Sequence, residues 1–351
     1  MREFNPTLLV AHLEPLRQWL DLEGVTEVVV NRPHEVAVEQ KGGWTWFDAE
    51  RLSLQWLSHL GRLIANSTNQ FLDDAHPLVS AVLPGGERVQ VVAPPAVEAG
   101  TYSLTIRKPS TTTLTLDQLD SYGLFSTTLK SGERPDAVKA QLLDLRDRGD
   151  WAAFLDLAVK SRKNILISGA TGSGKTTLSK ALIDRIPLEE RLLTIEDTRE
   201  LAMPHRNVVH MLYSKGAQGK ASVSAKELLE ASLRMRPDRI LLQELRDSAA
   251  FFYLRNVNSG HPGSITTIHA DSAELAFEQL TLLVKESEGG RDLAREDIRH
   301  LLHILVDVVV QCRKVDGRFE VSEIWFEPDK PAPGKLRVIE GGAESGCLAQ
   351  R

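Results

Sequence analysis

The sequence predicts an α/β protein in which a smaller α+β domain precedes a P-loop domain with a mostly parallel sheet. Three observations support this prediction. The chain has 351 residues, more than the roughly 250 that a single hydrophobic core supports. Short hairpin-like strands in the first third give way to a regular alternation of strands and helices. A glycine-rich phosphate-binding motif then lies at the first strand–helix junction of that second part.

We therefore expect an N-terminal α+β domain over residues 1–120, a linker over 121–150, a P-loop domain over 151–330 and a loose tail over 331–351. The linker is predicted where regular periodicity fades into a Thr-rich stretch, followed by a charged piece with helical character. No internal repeat interrupts this order.

The first 120 residues combine helical periodicity with short alternating strands. The turn Pro84-Gly85-Gly86 separates two of these strands, as in a hairpin. Predicted helices cover Leu8 to Leu20 and Leu52 to Asn66, and predicted strands cover Val25 to Val30, Glu35 to Glu39, Trp44 to Phe47, Leu78 to Leu83, Arg88 to Val92 and Tyr102 to Arg107.

From Trp151 onward, apolar strands alternate with helices, which predicts a mostly parallel sheet covered on both faces. A closing hairpin is predicted from Ile304 to Val315 and from Arg318 to Phe326. The other predicted strands are Asn164 to Ser168, Arg191 to Ile195, Asn207 to Leu212, Arg239 to Leu242 and Ser264 to Ile268, and the predicted helices are Trp151 to Ser161, Thr176 to Ile186, Ser224 to Met235, Ser248 to Val257, Ala273 to Glu286 and Arg295 to His303.

Composition places the chain among globular proteins, since 42% of its residues are hydrophobic and 26% are charged. Its two cysteines, Cys312 and Cys347, do not suggest a disulfide framework, which favours a reducing compartment. The N-terminus lacks a signal pattern, and no stretch reaches the ~20 apolar residues of a membrane span. We expect a cytoplasmic protein whose membrane contact is peripheral.

Charge is unevenly distributed along the chain. Residues 1–120 carry 9 basic and 15 acidic residues, whereas the remainder is balanced with 33 of each. A surface that grips nucleic acid needs clustered cations that release counterions from the phosphates. The distribution therefore argues against direct nucleic-acid binding.

The motif G-x-x-x-x-G-K-[ST] occurs after an apolar strand and before a helix, where phosphate binding requires it. Its glycines allow successive backbone N–H groups to face the phosphates, and the helix N-terminus adds its dipole. We expect Lys175 to reach the β- and γ-phosphates of ATP and Thr176 to bind Mg²⁺. The predicted nucleotide-binding residues are Gly169, Ala170, Thr171, Gly172, Ser173, Gly174, Lys175, Thr176 and Thr177.

Two strands end in acids, and a P-loop enzyme needs a carboxylate near the γ-phosphate. We expect Glu244 to polarise the attacking water, rather than to be merely an exposed strand-end acid. At the end of the other strand, Glu196 either helps to bind the metal and to orient the water or, together with Asp197, caps a turn. His269 follows a third strand. Parallel strands converge on the ligand at their C-terminal ends, so His269 is a candidate γ-phosphate sensor, although such histidines are often structural.

In the order of these sequence motifs, the chain resembles the secretion ATPase superfamily, and most closely its VirB11-like branch from type IV secretion and conjugation systems. The resemblance covers roughly residues 13–327. Gln243 before Glu244 is expected of the conjugation-like branch, and the type II branch is disfavoured because a four-cysteine zinc module is lacking. The resemblance rests on Walker A over 169–176, the acidic box over 194–200, Walker B over 239–244 and the histidine box over 260–269.

This resemblance implies a homohexamer with a RecA-like C-terminal ring, an N-terminal ring stacked on it, and ATP at their junction. It implies that N-terminal arginines reach the phosphates, and by position these are Arg107 and Arg88. Mg²⁺ would be held by Thr176, Glu244 and Glu196. Expected partners are inner-membrane components of a secretion channel, including a coupling protein and a second ATPase, at the cytoplasmic face.

The most direct reading is therefore an ATPase that powers substrate export or pilus assembly through domain motion. A nucleotide-controlled adaptor with little turnover stays open as an alternative. A pilus-retraction ATPase is disfavoured by the segment Arg234-Met-Arg-Pro-Asp238, and a motor that threads DNA conflicts with the charge distribution. The sequence leaves open whether the arginines act within one chain or between chains.

Overall fold

The structure, a computed structural model, describes residues 6–109, 113–130, 137–214, 222–246, 249–258 and 260–326. The predicted tail over 331–351 lies outside these residues, as does part of the predicted linker.

The N-terminal elements form one antiparallel sheet with two helices. The helices are α1 (Pro6–Leu20) and α2 (Leu54–Ser67), and the strands are β1 (Val25–Val30), β2 (Glu35–Gln40), β3 (Gly43–Asp48), β4 (Leu78–Val82), β5 (Arg88–Val92) and β6 (Ser103–Arg107). The sheet order is β3-β2-β1-β6-β5-β4. α2 begins after Ser53, whose side chain accepts a hydrogen bond from the Trp56 backbone N–H, a favoured N-cap arrangement. Leu13, Leu60 and Ile106 are buried in the core between sheet and helices.

Three helices follow before the second sheet: α3 (Leu116–Ser121), α4 (Ala137–Asp147) and α5 (Trp151–Lys160). α3 begins with a capping box in which Thr115 and Gln118 satisfy each other's backbone N–H groups. α4 buries Leu142 and packs partly buried apolar side chains against the same core, whereas α5 buries Phe154, Leu155, Ala158 and Val159.

The second sheet is parallel apart from its last strand. Its strands are β7 (Ile165–Gly169), β8 (Leu192–Glu196), β9 (Val208–Leu212), β10 (Arg239–Leu242), β11 (Ile265–Ile268), β12 (Val308–Val315) and β13 (Arg318–Phe326). They form the segments β9-β8-β10 and β11-β7-β12-β13, and a parallel bridge between Glu244 and Thr267 joins the two segments. Among the named strands of this sheet, β13 alone pairs antiparallel with its neighbour, and an isolated antiparallel bridge joins Met211 of β9 to Val97. The predicted fold class is confirmed.

Helices cover both faces of this sheet, because its buried strands present apolar side chains in both directions. The remaining helices are α6 (Lys175–Ile183), α7 (Ala225–Ser232), α8 (Ala249–Asn258), α9 (Ala273–Glu286) and α10 (Arg295–Leu305). On one face, Leu193 and Ile240 pack in the core formed with α7 to α10. On the other face, Leu192 and Leu241 pack in the core formed with α4 to α6.

The predicted ends of α6 and α7 and the predicted start of the closing hairpin are wrong. α7 ends at Ser232, not at Met235, and the other two differences have identifiable reasons. α6 ends at Ile183, not at Ile186, because the residue before Pro187 disfavours helical geometry. The closing hairpin begins at Val308, not at Ile304. The prediction was wrong because an apolar run alone does not distinguish a helix from a strand. The helix α10 continues instead through Leu305.

One buried arginine joins the two parts of the chain. Arg191, which precedes β8, is fully buried. Its Nη1 donates to Oδ1 of Asn31 at 2.8 Å and to Oδ1 of Asn207 at 2.5 Å, and its Nη2 lies 3.3 Å from Oγ1 of Thr105. Asn31 and Thr105 belong to the N-terminal part. Removing one partner of such a buried charged network is strongly destabilising, so these contacts fix the two parts against each other.

The helices of the described residues include none that is long and apolar enough to cross a membrane.

Candidate functional site

The phosphate-binding loop connects a fully buried strand to the N-terminus of a helix. β7 ends at Gly169, and α6 begins at Lys175 after Gly174, whose φ of 91° lies in the left-handed region. A Cβ on Gly169 would lie 2.4 Å from the backbone oxygen of Cys312 in the neighbouring strand. Glycine is therefore required at both positions. The resulting loop directs a helix N-terminus, with its unpaired N–H groups, into the space beside it.

That space is a polar cleft of about 470 Å³ at the C-terminal ends of β7, β8, β10 and β11. It unites residues from all the predicted boxes, as the convergence of parallel strands leads one to expect. The cleft is lined by Thr171, Gly172, Lys175, Thr176, Ser179, Asp197, Thr198, Glu200, Leu201, Gln243, Glu244, Arg246, Thr267 and His269. Four predicted site residues with reactive side chains, Lys175, Thr176, Glu244 and His269, are therefore brought together.

Lys175 is folded back onto its own loop. Its Nζ donates to the backbone oxygens of Gly169 at 2.6 Å and Ala170 at 2.9 Å, and it lies 3.4 Å from Nδ1 of His269. Burial lowers the pKa of Lys175, and the carboxylate of Glu244 opposes this shift. The ammonium is thus held at the cleft floor, where phosphate oxygens could replace the carbonyls as acceptors.

Glu244 is held between a histidine and an arginine. The bridge to Thr267 places it beside His269, whose Nε2 is 3.0 Å from Oε1 of Glu244. Lysine can only donate, so Nδ1 of His269 accepts from Lys175 and Nε2 carries the proton that faces Glu244. Arg246 pairs with the other carboxylate oxygen, and its Nη1 lies 3.4 Å from Oδ2 of Asp197. The hydrogen bond to Glu244 raises the pKa of Arg246.

Arg246 did not emerge from the sequence as a site residue. Its signal was its position two residues after the strand-end acid Glu244. In extended backbone such residues lie on the same side of the chain. Its pairing partner Asp197 comes from a different strand end, and that contact is visible only in the folded chain.

The predicted phosphate-contacting arginines lie elsewhere. Arg88 and Arg107 face each other across β5 and β6, and both line a second cleft of about 590 Å³ together with Leu233 and Arg234. The described residues that line the P-loop cleft all follow residue 170. One chain therefore does not bring these arginines to its own P-loop.

The P-loop cleft fits the phosphates of a nucleotide. The Ser173 side chain is buried, and its Oγ has no hydrogen-bond partner among the described residues. Lys175 and the helix N-terminus supply positive electrostatic potential, and Thr176 is exposed at the cleft. A phosphate group in the cleft would supply acceptors for Lys175, Thr176 and the N–H groups of the helix N-terminus, so the chemistry of the cleft matches that of a nucleotide-binding P-loop.

Comparison with known proteins agrees with this chemistry. A family model described as type II/IV secretion system protein matches residues 134–329. The type IV secretion system protein VirB11 of Bartonella quintana (strain Toulouse) is 51% identical over 334 residues, which cover 92% of this chain and 94% of that protein. The chain belongs to the VirB11 family of type IV secretion ATPases. VirB11 of Brucella suis biovar 1 (strain 1330) is 45% identical over 324 residues, with coverage of 91% and 90%.

The VirB11 family also matches at the level of structure. The crystal structure of the VirB11 ATPase from the Brucella suis type IV secretion system, in complex with sulphate, has a TM-score of 0.87 and 44% identity, and covers 92% of this chain and 98% of that one. The predicted resemblance to the VirB11-like branch is confirmed, and the chain is a nucleotide-binding member of this ATPase family.

Within this VirB11-family cleft, Glu196 does not face the P-loop. It is fully buried, and its Oε2 accepts from the backbone N–H groups of Glu200 at 2.7 Å and Leu201 at 2.8 Å, while Thr194 donates to Oε1. Burial raises the pKa of Glu196, but hydrogen bonds from His210, Leu201, Glu200 and Thr194 outweigh it, so the pKa is below its usual range. The carboxylate holds the loop that presents Asp197 and Glu200 to the cleft.

We expect Glu196→Gln to lower the free energy of unfolding by about 1–3 kcal/mol, since the amide N–H₂ leaves buried donors without an acceptor. The depressed pKa means that the wild-type contribution is complete above the ordinary value of 4.5 and is lost as pH falls through the lower folded-state pKa. Chemical denaturation at several pH values measures both effects. Glu200→Gln, at an exposed position in the same loop, is the control, and equal stability of the two variants would contradict this role.

Proposed function

We propose that the chain is an ATP hydrolase that assembles as a homohexamer and uses hydrolysis to power type IV secretion. The observation that supports it best is the union of Lys175, Glu244 and His269 in one polar cleft beside a P-loop. An adaptor that only binds nucleotide would not need a strand-end carboxylate oriented by two neighbours. We therefore favour turnover over the adaptor.

In this proposal Lys175 moves from the loop carbonyls to the β- and γ-phosphates. Glu244 accepts a proton from the attacking water as the water oxygen bonds to the γ-phosphorus and the bond to the β-phosphate bridging oxygen breaks, giving ADP and phosphate. His269 and Arg246 hold the carboxylate in place. His269 is positioned to sense the γ-phosphate, because its Nδ1 lies 3.4 Å from Nζ of Lys175.

Thr176 and Glu244 are the residues that would hold Mg²⁺, which when bound neutralises phosphate charge. The described residues contain no group of three or more His, Cys, Asp or Glu that could hold a metal. Mg²⁺ in such enzymes is bound by few protein groups together with substrate phosphates and water, so this sparse donor set suits it. Glu196, whose oxygens already accept hydrogen bonds within its loop, is assigned to the loop and not to the metal.

The arginines are proposed to act between chains. Arg88 and Arg107 line their own cleft, and the buried contacts of Arg191 oppose closure of the N-terminal part over the same chain's P-loop. A ring with head-to-tail contacts places one surface of each subunit against a different surface of the next. In such a ring, Arg107 of one subunit would complete the site of its neighbour and stabilise charge in the transition state.

A mixing experiment tests this proposal. Lys175→Ala and Arg107→Ala should each lack turnover, whereas their co-assembled mixture should regain activity at about a quarter of its sites, since a random ring pairs an intact P-loop with an intact neighbouring arginine at that frequency. Phosphate release per chain is the measurement. The control replaces Lys175→Ala with the Lys175→Ala/Arg107→Ala double variant, which has no arginine to offer. A mixture without recovered activity would contradict an arginine acting between chains.

We further propose that the protein works at the cytoplasmic face of the inner membrane, in peripheral contact with secretion-channel components such as a coupling protein and a second ATPase. Support comes from the relatives named as type IV secretion system proteins. Affinity capture of the full chain from its own cells, followed by mass spectrometry, would identify these partners. Recovery without any membrane-bound channel component would contradict the placement.

A further inference from the structure

Four charged side chains form a row across the N-terminal sheet. In the strand register, Glu39 lies opposite Glu27, Glu27 lies opposite Arg107, and Arg107 lies opposite Arg88. Directly opposed residues of antiparallel strands project from the same face. Two acids therefore stand beside the two arginines on β2, β1, β6 and β5. We call this set the charge row.

Glu27 is the buried acid that lies next to Arg107 in the charge row. It is 3% exposed, its Oε1 lies 3.5 Å from Nε of Arg107, and its Oε2 has no hydrogen-bond partner among the described residues. The charged groups that face it are Arg107, Glu39, Arg191 and Arg236, which come from four different segments. The pKa of Glu27 is raised from 4.5 to about 7, chiefly by burial and also by the nearby Glu39, and the arginines Arg107, Arg191 and Arg236 offset this rise only in part.

This acid is costly for the fold. A carboxyl whose pKa is raised on folding makes stability fall as pH rises from the unfolded to the folded pKa, here from 4.5 to about 7. A neutral side chain of the same shape would avoid that loss. A buried acid kept under such conditions is a candidate for a functional role.

The geometry of Arg107 indicates what that role is. Glu27 contacts the Nε atom, near the stem of the guanidinium, while the Arg107 side chain is 67% exposed. The terminal nitrogens are thus left for another acceptor, and a guanidinium fork suits two oxygens of one phosphate. The contact fixes the direction of the side chain without occupying its phosphate-binding end.

The other end of the charge row reaches the C-terminal part. Arg236 pairs with Glu39 and also donates from Nη1 to Oδ1 of Asp238 at 2.6 Å. Asp238 directly precedes β10, the strand that leads to Glu244. Through Arg236 and Asp238, the charge row therefore links the strand that leads to Glu244 with Arg107 and Arg88 of the same subunit.

We propose that ionised Glu27 is a positioning residue for Arg107, holding its guanidinium in the direction required by a nucleotide on the neighbouring subunit. This inference rests on the proposed function of Arg107. Protonation of Glu27 removes the charge that orients Arg107. Turnover is then expected to rise with pH through the ionisation of Glu27, because the ionised form is the orienting one.

The test is steady-state ATP turnover of the full chain between about pH 5.5 and 8.5. Glu27→Gln should lower kcat about 10-fold, the scale of a modestly misplaced catalytic group, with KM for ATP changed by less than about twofold. The rise of kcat near neutral pH should disappear. At pH 8 the variant should unfold at a temperature no lower than the wild type, a result that a purely structural role would not give.

Glu87→Gln is the matched control. Glu87 is 6% exposed, lies 3.4 Å from Arg17, and also has one carboxylate oxygen without a hydrogen-bond partner among the described residues. It shares the burial and pairing of Glu27 without contacting Arg107, so its variant should keep the wild-type pH profile. If Glu27→Gln does not fold, Glu27→Asp should shift the ionisation near neutral pH, whereas Glu87→Asp should not.

The outcomes separate this inference from the proposed function. If Arg107→Ala retains full turnover, the proposed role of Arg107 and the positioning role of Glu27 both fail, while the assignment of the P-loop site is unaffected. If Arg107→Ala loses turnover but Glu27→Gln keeps the wild-type kcat and pH profile, only the positioning role fails. Support requires loss in both variants and no further loss when they are combined, because residues that act through one interaction are not additive. An added loss in the double variant would overturn the inference.

Discussion

Replacing Lys175 with alanine should abolish ATP turnover, by at least about 10³-fold, in a protein that remains folded. The side chain is only 8% exposed, but its ammonium contacts carbonyl oxygens of the loop and His269, not a packed apolar core. Its loss therefore removes a charge that phosphate binding and transfer require and leaves the two cores around the sheet intact. Phosphate release and thermal unfolding measure the two parts of the expectation.

Lys180→Ala is the matched control, since Lys180 lies in the last turn of the same helix and does not line the cleft. It should turn over ATP within about twofold of the wild type, as expected of a surface substitution away from the site. Retained turnover in Lys175→Ala would discard the assignment of the P-loop as the catalytic site. Loss of folding in that variant would instead show that the loop contacts are structural.

The second large effect is expected at Glu244. Glu244→Gln should keep nucleotide and Mg²⁺ bound, because Thr176, the phosphates and the amide oxygen are still available to Mg²⁺, but it should slow hydrolysis by at least about 10²-fold, the scale for loss of a general base. The amide can still accept a hydrogen bond from His269 or Arg246, so the local geometry is largely retained, but it cannot take a proton from water. Single-turnover hydrolysis and equilibrium nucleotide binding separate the chemical step from affinity.

Two further variants make the Glu244 result specific. Glu200→Gln changes another acid that lines the same cleft, at an exposed position, and should leave hydrolysis nearly unchanged. Glu196→Gln should reduce stability while the folded fraction remains active. If hydrolysis persists in Glu244→Gln and fails only in Glu196→Gln, the roles of the two carboxylates must be exchanged.

The parts of the site that the sequence predicted are those set by local or topological rules. The P-loop is contiguous, and Gly169 and Gly174 are required by backbone geometry that no other residue satisfies. The meeting of Glu244 with His269 follows from the rule that parallel strands converge at their C-terminal ends. A reader of the sequence can apply both rules without knowing how the rest of the chain packs.

The remaining features depend on contacts between distant segments. The direction of Glu196 is decided by the loop after β8, whose backbone N–H groups of Glu200 and Leu201 turn back to its carboxylate. The position of Arg107 relative to the P-loop depends on how the two parts of the chain dock, and that docking uses the buried contacts of Arg191. A buried arginine leaves no periodic signal in the sequence, so neither placement was predictable from pattern alone.

The folded-back position of Lys175 has a consequence for product release. When ADP and phosphate depart, a buried ammonium without acceptors would be strongly unfavourable, and this would favour retention of product. The carbonyl oxygens of Gly169 and Ala170 lie 2.6 and 2.9 Å from Nζ, so the lysine regains partners as the anions leave. The loop thereby lowers the barrier to emptying the site, which matters in enzymes whose cycle is limited by product release and not by chemistry.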